Sequence, residues 1–95
     1  MYAVFTEVNT DESQTETARQ FLNETVAPRA RERGAKAGYW LAAAGGRGVS
    51  VVIFESEDEA RALADLMEVG KPPRPDAPEG VTVRTVEVRE VLATV

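Results

Sequence analysis

From Tyr2 to Val8 the chain alternates loosely between polar and apolar positions, with Val4, Phe5 and Val8 apolar, which predicts a first strand ending near Asn9. The period then changes. Ala18, Phe21, Leu22, Val26 and Ala30 recur at helical spacing and mark one apolar face. Ser13-Gln14-Thr15-Glu16, just ahead of them, has capping-box spacing: the serine oxygen accepts an orphan amide and the glutamate reaches back to the serine's own amide. Arg29, Arg31 and Arg33 put positive charge where the helix dipole favours it, and Gly34 supplies a stop. Pro28 has no N–H for the carbonyl of Glu24, so a kink or break is expected there.

Two further strands are predicted at about Ala37–Ala43 and Gly48–Glu55, joined by a glycine-rich hairpin turn, Gly45-Gly46-Arg47-Gly48. Val49, Val51, Val52, Ile53 and Phe54 make the second of these almost continuously apolar. That implies burial on both faces and a central place in the sheet. Ser56-Glu57-Asp58-Glu59 is a second capping box, followed by Ala60, Leu63, Ala64 and Met67 at i, i+3, i+4 and i+7. Four of the five prolines lie between Pro72 and Pro78, so Gly70 to Gly80 reads as a stiff loop that borders a cleft or crosses the end of the sheet. In Val81 to Val95, Val81 and Val83 share one parity while Val86, Val88 and Leu92 share the other, which calls for a bulge near Arg84-Thr85. The order is βαββαβ. It fits an α+β, ferredoxin-like arrangement, a four-stranded antiparallel sheet with both helices on one face, and 95 residues suit a single domain spanning 1–95.

A formal net charge of -5 weighs against nucleic-acid binding, which needs a basic face to displace counterions from phosphates. With neither cysteine nor histidine, the chain lacks thiolate nucleophiles, imidazole bases and the commonest ligands of zinc and haem. Its carboxylates gather at helix starts and lack the Asp-x-Asp-x-Asp-Gly spacing of a calcium loop, so no metal or other cofactor is expected. The apolar runs are strand-length and no basic leader precedes the first strand. The expectation is a soluble, cytoplasmic protein with no membrane partner.

Two helices cover one face of a four-stranded sheet, yet both parities of the third strand are apolar and Tyr39, Trp40 and Leu41 stand together in the second. A homodimer packed sheet to sheet would cover the other face. Gly38-Tyr39-Trp40-Leu41, the glycine turn and the run from Gly48 to Ala60 resemble the dimeric α/β-barrel superfamily, particularly the small antibiotic-biosynthesis-monooxygenase-like proteins. The resemblance covers the element order of nearly the whole chain and the residue pattern between about Gly38 and Ala64.

That resemblance implies a cavity between sheet and helices, and a small-molecule enzyme of the cofactor-free monooxygenase type acting on an aromatic or polyketide-like substrate. Haem-degrading relatives use an asparagine, a tryptophan and a histidine. Asn9 matches the asparagine, but the histidine is absent and Trp40 lies on a different strand, so haem breakdown is disfavoured. Cofactor-free oxygenation needs a shaped pocket, a proton acceptor and an oxyanion donor. The candidate catalytic residues are Trp40 and Tyr39, as walls or donors, and Asn9 as an amide anchor, with Tyr2 and Arg84 behind them. The same residues also suit packing, turn and surface roles. A non-catalytic, dimeric ligand-binding or regulatory domain is the alternative, since such domains share the βαββαβ order.

Overall fold

The computed structural model describes residues 1–95. Strands β1 (Tyr2–Asn9), β2 (Ala37–Ala44), β3 (Arg47–Phe54) and β4 (Thr82–Glu90) form one antiparallel sheet in the order β2-β3-β1-β4. This is the ferredoxin-like arrangement, with β3 central as its continuous hydrophobicity requires. The helical segments α1 (Thr15–Phe21), α2 (Ala27–Glu32) and α3 (Glu57–Ala64) complete the βαββαβ order.

The first helical run starts differently from its Ser13 capping-box reading. Asp11 is the cap: its carboxylate accepts from the amide of Ser13 at 2.9 Å and opens a short 3-10 turn, Glu12–Gln14, that leads into α1. Asp11 sits two residues further back in extended backbone and caps the run there, which leaves Ser13 inside the 3-10 turn and not at a cap position. The kink expected at Pro28 is a π-helical stretch, Leu22–Val26, between α1 and α2, with the proline in the first turn of α2. Widening the helix by one residue accommodates a position that cannot donate an N–H. The second capping box forms in full: Ser56 Oγ accepts from the Glu59 amide at 3.2 Å, and Glu59 Oε1 accepts from the Ser56 amide at 3.3 Å.

At the β2–β3 turn, Gly45 and Gly46 have φ of +62° and +75°, the doubly positive pair of a type I′ hairpin. The carboxylate of Glu12 accepts hydrogen bonds from both their amides, tying the start of the helical run to the hairpin tip. In β4, Thr85 pairs with Glu7 while Val83 pairs with Val8, which leaves Arg84 as the extra residue of a bulge. The bulge restores parity, so Val83, Val86 and Val88 stand opposite Val8, Thr6 and Val4 on the helix side of the sheet.

The packed core lies at one end of that side. Val4, Val52 and Phe54 from the sheet meet Ala30 of α2 and Ala60 of α3, all buried. Neither α1 nor the π-helical stretch has a buried residue. The first helix therefore stands off the sheet, and its apolar face is only partly covered.

Candidate functional site

The space under α1 is a cavity of about 410 Å³, within the range of small-molecule sites. Its floor is a pair of rows running across the strands. Trp40, Ser50 and Thr6 are direct cross-strand neighbours on β2, β3 and β1; the next row carries Val8 and Gly48. Gly48 and Ser50 occupy the positions on β3 where a large residue would reach the helix. A bulge in β2, with Ala42 and Ala43 opposite the single Gly48, keeps the adjoining edge small as well.

Trp40 lies down along β2 instead of standing up into the cavity. A Cβ built on Gly38 would come within 2.8 Å of Cη2 of the Trp40 indole, so the ring covers the glycine two residues before it on the same face. Only glycine leaves room for that approach. Ala18, Phe21 and Leu22 form the roof from the helix side.

The remaining wall is the proline loop, which borders the cleft through Pro73, Arg74 and Pro78. Two straps hold it there. Gly70 donates to the carbonyl of Val83 and Val83 donates to that of Lys71, each at 2.8 Å, while Arg29 of α2 donates from Nη1 and Nη2 to Oδ1 and Oδ2 of Asp76 at 3.2 and 2.7 Å. The guanidinium of Arg74 lies over the Phe21 ring, 5.0 Å from its centroid.

The cavity thus combines an aromatic and aliphatic lining with polar residues, Ser50 and Arg74 among them; of the others, Thr6 donates its hydroxyl to Met67 Sδ at 3.9 Å and Asn23 its amide to the Arg19 carbonyl at 2.8 Å. Burial pushes the pKa of Arg74 down, opposed by the nearby Asp76 carboxylate. The carboxylate of Asp11, at the rim, is held below its usual range by hydrogen bonds from Ser13. It is a weak proton acceptor. No cluster of three or more His, Cys, Asp or Glu side chains is placed to hold a metal ion.

Of the residues singled out from sequence, Trp40 lines the cavity, whereas Tyr39 points from the opposite face of β2 and is 63% exposed. Asn9 ends β1, exposed, and donates from Nδ2 to Thr82 Oγ1 at 3.2 Å, away from the cavity lining. Trp40, Tyr39 and Asn9 are therefore not brought together. Tyr2 packs against the core, and Arg84 faces Glu7 at 4.0 Å at the bulge. Arg74 and Ser50 were missed as site residues. The available signals were an arginine flanked by prolines in a loop too stiff to flex away, and the small residues Gly38, Gly48 and Ser50 at strand positions that share one face. Comparison with protein-family models, curated proteins and solved structures finds no match to this chain.

Proposed function

We propose that this protein is a small-molecule enzyme that holds a planar aromatic or polyketide-like substrate in the cavity beneath α1 and oxidises it without a cofactor, as the monooxygenases it resembles do. The observation that carries this reading is the cavity itself: about 410 Å³ of space between the sheet and the first helical run, bounded by Trp40, Phe21 and Leu22. Leaving such a space empty forgoes apolar burial, and a flat apolar ligand restores it.

The chemistry asks little of the protein. A phenolic substrate with an acidic CH₂ group loses a proton to give a carbanion that reacts with dioxygen; the CH₂ becomes C=O, one oxygen atom enters the product and the other leaves as water. All four electrons come from the substrate. The protein's part is to exclude bulk water, fix the ring against Trp40 and offer hydroxyl and N–H donors to the oxygen that gains charge.

The test is oxygen uptake with a panel of anthrone-type phenols. One dioxygen consumed per quinone formed, insensitive to chelators and lost in Ala18→Trp, which fills the cavity from the roof, is the expected result. Tight binding of the same compounds with no oxygen uptake would turn the assignment to the second reading, a ligand-binding or regulatory domain. Asp11, the one carboxylate in the lining, already accepts the Ser13 amide at 2.9 Å, and the lack of a free carboxylate base favours that second reading.

The same proposal seats a second copy of the chain on the open face of the sheet. Phe5, Val49, Val51 and Ile53 form a field there with Tyr39 and Leu41, which are 63% and 59% exposed, and no helix covers them. Closing two such faces on each other would give the barrel-forming dimer of the superfamily it resembles.

A further inference from the structure

We propose that the cavity is selective for an acidic ligand, a planar aromatic carrying a carboxylate or phenolate oxygen, and that Arg74 is the residue that reads its charge. This rests on the reading of the cavity as a ligand site.

Arg74 is held in place but not satisfied. Pro72, Pro73 and Pro75 restrict the backbone around it, and the two straps at Val83 and Asp76 fix the loop at either side. Its Nε is buried and has no hydrogen-bond partner. The nearest carboxylate, Asp76, stands 4.0 Å from that atom, and both Asp76 oxygens already accept from Arg29. Arg29 has Glu32 as well as Asp76 for countercharge, whereas Arg74 has only the Asp76 carboxylate that Arg29 already occupies, so the positive charge of Arg74 is left without a direct ionic partner on this wall.

The other charged groups lining the cavity do not cancel it. Arg19 is paired with Glu16 at 3.3 Å, and Asp11 lies before the start of α1 whereas Phe21, under Arg74, is its last residue. A seven-residue helix separates them by about 10 Å. Guanidinium stays protonated even where burial opposes its charge, and its planar fork presents several N–H groups to a flat oxyanion. The cation–π contact with Phe21 holds Arg74 against the apolar roof. A ring lying between that roof and Trp40 can therefore direct an acidic substituent at the uncompensated N–H groups without leaving the apolar part of the cavity.

The test uses a matched pair of probes, 2-naphthoate and its neutral isostere 2-naphthamide, titrated at low salt while the indole N–H resonance of Trp40, the sole tryptophan, is followed by NMR. The full chain is expected to bind the naphthoate about tenfold or more tighter than the naphthamide. Arg74→Gln should bring the ratio of the two affinities to about one with the naphthamide still bound, which also shows that the cavity has survived the substitution; Arg74→Lys should retain part of the preference. Equal affinities in the unmodified protein, or a preference that survives Arg74→Gln, would overturn the charge selectivity and leave the cavity reading standing. Failure of both probes to bind would remove the cavity reading and this inference with it.

Discussion

Gly38 shows how one missing side chain shapes the site. Its hydrogen atoms are what allow the Trp40 indole to lie flat on β2, so Gly38→Ala, which puts a methyl 2.8 Å from the ring, must lift the indole or move the strand. We expect a loss of about 1 to 3 kcal/mol in urea unfolding and a shift in tryptophan emission. Asp76 offers a second test, through pH. Its hydrogen bonds from Arg29 hold its carboxyl below the ordinary 3.8, so the native state binds a proton less readily than the unfolded chain. The stabilisation from this pair is therefore complete above 3.8 and disappears as the pH falls through the lowered native value. NMR of the Asp76 carboxyl should show the low midpoint. Asp76→Asn should abolish the charge pair with Arg29 and speed amide exchange in the proline loop at neutral pH.

At the scale of elements, two local devices set where the helices begin. The box at Ser56 needs only residues within one turn, which is why it was legible in the sequence, and Ser56→Ala should cost about 1 kcal/mol in chemical denaturation. The start of the first helical run was misplaced because two candidates compete there. Asp11 caps the 3-10 turn, and Glu12, read as one more helix-start acid, instead satisfies the amides of Gly45 and Gly46 across the molecule. Glu12→Ala should accelerate hydrogen exchange at those two amides and cost about 1 kcal/mol. The bulge at Arg84 was visible in advance because a parity change between Val83 and Val86 leaves few other geometries. The π-helical stretch shows only as a proline in the sequence, since a proline disrupts a helix without specifying whether it bends, breaks or widens.

For the whole molecule, the question is what the two faces of the sheet meet. One carries the core and the cavity; the other presents Phe5, Val51 and Tyr39 in one cross-strand row, with Glu87 and Arg89 along the β4 edge. The sheet-to-sheet dimer we propose predicts elution at twice the mass of one chain in gel filtration. Val51→Glu, which sets a charge in the middle of the apolar field, should elute as a folded monomer with unchanged far-UV circular dichroism. A monomer already in the unmodified protein would refute the packing argument while leaving the cavity as it is.

The sequence by itself determined the element order, the central place of β3, the glycine-turned hairpin and the second helix cap, because each depends on residues close together along the chain or on the period of two or 3.6 that a strand or helix imposes. It named Trp40 and Tyr39 together and left open which of the two faces of β2 meets a cavity. Only the tertiary structure decided that α1 stands off the sheet, that Tyr39 and Asn9 lie away from the space beneath it, and that Arg74 reaches that space. Those outcomes depend on residues far apart in the chain: a glycine and a serine in β3, a carboxylate at position 12 holding a hairpin tip, and an aspartate in the proline loop clasped by Arg29. A side chain's own periodicity says which face of a strand or helix it occupies. What meets it there is set by contacts across the fold.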